Sequence, residues 1–67
     1  MTIKELRTIT GLSQRAFGKK YHIPTRTIED WEGGRRKPSE TILYLLGRVV
    51  KSDYETEWDE YYKEREA

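Results

Sequence analysis

The side chains of this chain that could do chemistry are cationic and hydrogen-bonding groups, concentrated before residue 52. Residues 1–51 contain eleven Lys or Arg against five Asp or Glu, a net charge of +6. Residues 52–67 contain two against seven, a net −5, and the two segments together give the +1 of the whole chain. A basic body suggests a polyanionic partner, most simply nucleic acid. A mixed surface charge that only keeps the chain soluble is the alternative.

The sequence lacks the residue types that a catalytic site or a metal site requires. The chain has no cysteine and a single histidine, His22, so no second ligand of these types is available to share a metal. It also lacks a glycine-rich phosphate loop and a nucleophile with a nearby base. We therefore predict a protein that is not an enzyme and holds no metal or cofactor, with His22 as a turn residue.

The length of 67 residues allows one small domain, and the chain has no disulfide to support it. Dimerisation is the remaining way to enlarge the core. The longest apolar run, residues 42–46, is too short to span a bilayer. The absence of cysteine and of an apolar amino-terminal stretch favours a cytoplasmic protein that does not contact membranes.

Apolar spacing and capping residues predict four short helices and no strands. The first predicted helix begins at about residue 3 and ends before Gly11. The second covers residues 14–21, the third 25–32 and the fourth 40–50. Each follows a residue typical of a helix start: Thr2, Ser13, Pro24 and Ser39. Thr2 and Glu5 have the spacing of a capping box, and Gly11 is suited to end the first helix.

The fourth predicted helix is apolar over more than one stripe. We expect Ile42, Leu45 and Leu46 in the core together with Trp31 of the third helix. A stripe this wide indicates that something beyond the first three helices covers part of the fourth.

Residues 53–67 combine acidic side chains with aromatic residues at intervals of three or four, which favours a fifth helix. The rings are Tyr54, Trp58, Tyr61 and Tyr62. They could pack on the fourth helix of the same chain or of a symmetry mate. They could instead bind a separate protein, or belong to a frayed acidic tail.

A set of residues at specific spacing covers the chain from about Ile3 to Val50. Its members are Gly11, Leu12, Ser13, Gln14, Phe17, Ile23, Thr27, Ile28, Glu29, Trp31, Glu32, Gly34, Arg35, Arg36 and Pro38. In these positions the chain resembles the phage Cro and cI repressor family, also called the XRE family. It departs from that pattern at Gly18, where alanine is usual, at His22, where glycine is usual, and at Pro24, where serine or threonine is usual.

The resemblance implies an all-α, lambda-repressor-like bundle of four to five helices. Residues 1–51 would form a helix-turn-helix DNA-binding domain, in which the third helix lies in the major groove. Residues 52–67 would form an acidic aromatic segment for dimerisation or partner contact.

The resemblance also implies which side chains contact DNA. The implied base readers are Gln14, Thr25, Arg26, Glu29 and Asp30. The implied phosphate contacts are Arg15, Lys19, Thr27, Arg35, Arg36 and Lys37. Arg26 can bond guanine through two donors, and Glu29 can accept from cytosine. Asp30 could instead pair with Arg26, and the basic loop could simply be solvated.

The function implied is sequence-specific binding of double-stranded DNA by a homodimeric transcriptional regulator. A repressor, autoregulatory as in phage, prophage and mobile-element members of the resembled family, is expected. Its operator would be an inverted repeat with half-sites about 10 base pairs apart. The alternative is an antitoxin-like protein that binds DNA through the helix-turn-helix and a protein partner through residues 53–67.

Overall fold

The computed structural model describes residues 1–66 and consists of five α-helices. They are α1 (Ile3–Thr10), α2 (Gln14–Tyr21), α3 (Thr25–Glu32), α4 (Glu40–Asp53) and α5 (Glu55–Glu66). The described residues contain no strand, so the all-α prediction is confirmed. Within residues 1–66, none of the helices combines the length and apolar character needed to cross a membrane.

Local capping chemistry sets the ends of the first two helices. The Thr2 hydroxyl accepts from the Glu5 N–H at 3.1 Å, and the Glu5 carboxylate accepts from the Thr2 N–H at 3.0 Å. Gly11 ends α1 with a φ of 71°, and His22 ends α2 with a φ of 58°. His22 is thus a turn residue in the left-handed conformation, which histidine adopts more readily than most non-glycine residues.

The core lies where α1, α2, α3 and α4 meet. Its buried side chains are Ile3, Leu6, Ile9, Phe17, Ile28 and Val50. Gly18 is also buried, and a Cβ placed on it would clash with the carbonyl oxygen of Ile23. Glycine at this position therefore lets the turn after α2 approach the helix more closely than alanine would allow.

Helix α4 continues to Asp53, beyond the predicted end at Val50. The prediction that Ile42 and Leu45 lie in the core is wrong, because they are 40% and 51% exposed. The helix turns the face carrying Val50 inward, and α5 does not cover the flank of Ile42 and Leu45. Trp31 and Leu46, predicted beside them, are half-buried against the core.

Helix α5 packs on α1 and α4 of the same chain. Tyr54, Trp58 and Tyr61 are half-buried against the core, and the Tyr61 hydroxyl donates to Glu5 at 3.1 Å. Of the arrangements considered for these three rings, the structure therefore has the one in which they pack within their own chain. Ala67, the last residue of the predicted segment, lies outside the described residues.

Candidate nucleic-acid interface

Helix α3 presents a polar face to solvent because its apolar residues turn inward. Ile28 is buried, and Trp31 packs against the core. Arg26 and Glu29 are exposed on the opposite side. The other predicted contact residues of this helix, Thr25, Thr27 and Asp30, are half-buried.

The carboxylate of Asp30 pairs with the loop after α3 and not with Arg26. Its Oδ1 lies 3.3 Å from the Arg35 Nε. The Asp30 carbonyl also accepts from the backbone N–H groups of Arg35 and Arg36, at 3.0 and 3.3 Å. These contacts anchor the basic loop to the end of α3. Among the side chains of residues 1–65 the Arg26 guanidinium forms no ion pair, so it is available for an external acceptor.

Two shallow clefts collect most of the predicted contact residues. Arg26, Glu29, Asp30 and Arg35 line the first. The second lies between α2 and the start of α3, and its lining includes Arg15, Lys19 and Thr25. Side chains from three consecutive segments, α2, α3 and the loop after α3, thus line the two clefts.

The second cleft is suited to a phosphate group. Pro24 begins α3 without any side-chain cap, so the positive end of the helix dipole borders the cleft. Arg15 and Lys19 add two exposed cations beside it. A helix amino terminus flanked by cations attracts anionic oxygen atoms.

Gln14 is placed differently from the other predicted readers, because its side chain belongs to a hydrogen-bonded network behind α3. Its Nε2 donates to Glu32 Oε1 at 3.2 Å. Arg7 donates to the two oxygens of the same carboxylate at 2.7 and 2.9 Å, and to the Leu12 carbonyl at 3.1 Å. The side chain of Glu32 is only 7% exposed and that of Arg7 21%.

This network locks α3 against α1 and the start of α2. The hydrogen bonds from Arg7 hold the pKa of the Glu32 carboxyl below its ordinary value, and the same bonds raise the pKa of Arg7. Both groups are therefore charged at neutral pH. The pair fixes the position of the helix whose opposite face carries Arg26.

Sequence reasoning missed Arg7 and Glu32 as positioning residues. One signal was present: an acidic side chain in the last turn of a helix opposes the helix dipole, so Glu32 needs a cation from elsewhere. Nothing in the sequence indicates that this cation is Arg7, because the two residues belong to different helices.

The basic loop contributes two further cations. Arg36 and Lys37 are exposed and form no ion pair within the described part of the chain. They line neither of the two clefts. Their assignment to phosphates, like the base-reading assignments, stays a prediction.

Two short helices joined by a turn, with the second carrying a polar outer face beside exposed cations, define a helix-turn-helix domain. The chain belongs to the helix-turn-helix family, whose family model matches residues 3–55. The resemblance to XRE-type regulators is thereby confirmed, and with it the class of DNA-binding transcriptional regulators. Searches of the curated proteins and of the solved structures gave no match.

Proposed function

We propose that the protein is a homodimeric, sequence-specific repressor that binds an inverted-repeat operator in the cytoplasm. Autoregulation in a phage or mobile-element setting is part of this proposal. The observation that carries it is the outward face of α3, where Arg26 and Glu29 are exposed and neither forms an ion pair with a side chain of residues 1–65.

The residues of α3 divide the recognition task. Arg26 offers a planar pair of donors that fits the O6 and N7 acceptors of guanine, and Glu29 offers acceptors for the cytosine amino group. Thr25, at the start of the helix, can bond a base edge or contact the methyl group of thymine. The Asp30 carboxylate holds Arg35, which leaves Asp30 the weakest candidate reader among these residues.

Phosphate contacts would fix the register of the helix in the groove. Arg15 and Lys19 border the amino terminus of α3, and Arg35, Arg36 and Lys37 follow its carboxyl end. Cations at both ends of α3 can bind backbone phosphates on either side of the bases that the helix contacts.

Dimerisation is supported by the apolar surface of α4. Ile42, Tyr44, Leu45 and Val49 are between 40% and 62% exposed, although all four are large apolar or aromatic residues. Tyr44 lies on one flank of α4, and Ile42, Leu45 and Val49 lie on the other. A second copy that covers one of these two flanks would place two α3 helices on one DNA duplex.

The test is selection from random DNA duplexes with the purified protein, followed by titration of the recovered sequence and of scrambled DNA at two salt concentrations. We expect an inverted repeat, affinity that falls steeply with salt, and a clear preference over scrambled DNA. Failure to enrich any sequence, with weak binding even at low salt, would contradict the proposal.

The antitoxin-like function remains a second candidate on the sequence alone. Its protein partner would bind residues 53–67, but Tyr54, Trp58 and Tyr61 are already packed within the chain. We therefore favour the repressor.

A further inference from the structure

An apolar groove runs along α4 on the side next to α5, away from the flank of Ile42 and Leu45. Its floor and walls include Leu43, Tyr44, Gly47 and Trp58. Glu40 lines it at one end and Lys51 at the other. Glu40, Tyr44, Gly47 and Lys51 follow one another at intervals of four, three and four residues, so they form a single stripe along the helix.

Gly47 has no role inside the chain that explains it. It lies in the interior of α4, where glycine is less favourable than alanine. A Cβ on Gly47 would meet nothing within 4 Å, so no neighbour in residues 1–66 requires its absence. An interior glycine that faces open space in a groove is suited to close approach by a side chain from outside.

Tyr44 is the complementary feature of the same stripe. Tyr44 is 62% exposed, the largest exposure among the large apolar and aromatic residues of the described chain. Arg48 holds it in place, with Nη1 donating to the tyrosine hydroxyl at 3.1 Å and the guanidinium 5.8 Å from the ring centre. The stripe therefore carries a projecting ring one turn away from a vacant position.

This stripe is self-complementary under two-fold symmetry. The two-fold axis would pass through the stripe between Tyr44 and Gly47, at the height of the peptide bond that joins residues 45 and 46. When two α4 helices cross antiparallel about this axis, Tyr44 of each copy lies opposite Gly47 of the other. The same operation sets Glu40 opposite Lys51, twice. Shape and charge thus match together, as an isologous interface requires.

We propose that a second copy of this chain binds this groove, with α4 antiparallel to α4, Tyr44 seated over Gly47 and Glu40 paired with Lys51. This inference rests on the proposed dimeric function and specifies which surface forms the dimer. The opposite flank, with Ile42, Leu45 and Val49, is the competing surface.

The test is a charge-reversal cycle on the full chain, read by sedimentation equilibrium. Glu40→Lys and Lys51→Glu each place like charges opposite one another at two sites, so each should weaken the dimer about tenfold or more. The double variant should restore most of the affinity. Within one chain the two residues lie about 16 Å apart along the helix, at its rise of about 1.5 Å per residue, so rescue can only arise between copies.

Folding stability separates this effect from simple damage to α4. Glu40 lies in the first turn of the helix and Lys51 in the last, so each reversal opposes the helix dipole and the double variant has both costs. The double variant should therefore have the lowest melting temperature as a monomer, yet dimerise better than either single variant.

Gly47→Gln supplies an independent test with effects of opposite sign. Glutamine favours the helix, so the variant should melt a few degrees higher at concentrations where the chain is monomeric. The new side chain should nevertheless weaken the dimer, because it occupies the place of the partner ring. Leu45→Ser, on the competing flank, is the control and should leave the dissociation constant within about threefold.

Three results would overturn the proposed surface. One is a double charge variant that dimerises no better than the weaker single variant, and another is Gly47→Gln with unchanged dimer affinity. The third is dissociation by Leu45→Ser alone, which would move the interface to the other flank and leave the dimeric repressor intact. A wild-type chain that is monomeric at every concentration and on its selected DNA would contradict the dimeric function as well.

Discussion

Replacement of Glu32 by glutamine tests how α3 is held in position. The Glu32 carboxylate accepts two hydrogen bonds from Arg7 and one from Gln14. Glutamine keeps one acceptor oxygen, loses the charge, and turns an amide group toward a guanidinium that is only 21% exposed. Hydrogen bonds to charged groups contribute about 1.5–3 kcal/mol, so we expect Glu32→Gln to lower the free energy of unfolding by about 2–3 kcal/mol.

The assay is urea unfolding followed by circular dichroism, at one fixed protein concentration because dimerisation would couple to stability. Glu29→Gln is the matched control: it makes the same chemical change on the same helix, at an exposed position with no ion pair in the described chain. The free energy of unfolding of Glu29→Gln should stay within about 0.5 kcal/mol of the wild-type value. Equal effects of the two variants would refute the structural role of the network.

The pH dependence gives the same prediction a second test. The pKa of Glu32 is lowered on folding, so the folded state binds this proton less tightly than the unfolded chain. The stability from the pair is fully present above the ordinary value of 4.5 and is lost as the pH falls through the lower folded-state value. The difference in the free energy of unfolding between the wild type and Glu32→Gln should therefore decrease below pH 4.5. If this difference in unfolding free energy stayed constant down to about pH 2, the stabilising role of the charged Glu32 carboxylate would be refuted.

Three further substitutions test the turn and the basic loop. Gly18→Ala should destabilise the protein by about 1–3 kcal/mol in urea melts despite the better helix propensity of alanine, because its Cβ would meet the Ile23 carbonyl; a stabilised variant would show that the turn can move away. His22→Gly should raise the unfolding free energy by about 0.5–1 kcal/mol, since it relieves a non-glycine residue at φ 58°, and a loss would indicate that the imidazole makes a needed contact. Arg36→Ala should reduce the slope of log affinity against log salt by about 1.8 in titrations of operator DNA, because the dimer would lose two phosphate contacts at about 0.9 each; an unchanged slope would place Arg36 off the backbone.

Local chemistry explains which parts of the fold the sequence predicts. The capping box of Thr2 and Glu5, the cap by Ser13 and the left-handed turn at His22 depend on residues close in the chain, and all three are present in the structure. The inward face of α3 follows from the spacing of Ile28 and Trp31 in the same way.

Contacts between distant residues explain what the sequence does not predict. The apolar character of Ile42 and Leu45 suggests burial, but which flank of α4 is covered depends on where α5 docks. Likewise, Arg7 and Glu32 meet only because α1 packs across α3. Spacing within one helix carries no information about either arrangement.

The candidate site shows the same division. The exposure of Arg26 and Glu29 could be predicted from helical periodicity, and both are exposed in the structure. The ion pair of Asp30 with Arg35 could not be predicted in this way. Helical spacing makes Arg26 the neighbour of Asp30, whereas Arg35 reaches Asp30 through the fold of the loop.

The most direct test of the central claim, that α3 reads DNA sequence, is the binding of Arg26→Ala to every single-base variant of the selected half-site. If Arg26 contacts a guanine, the variant should lose about 1–3 kcal/mol of discrimination at one position per half-site and retain it at the others. Arg36→Ala is the control and should weaken binding to all sequences alike. A uniform loss for Arg26→Ala, with discrimination unchanged at every position, would contradict the claim that this residue reads a base from α3.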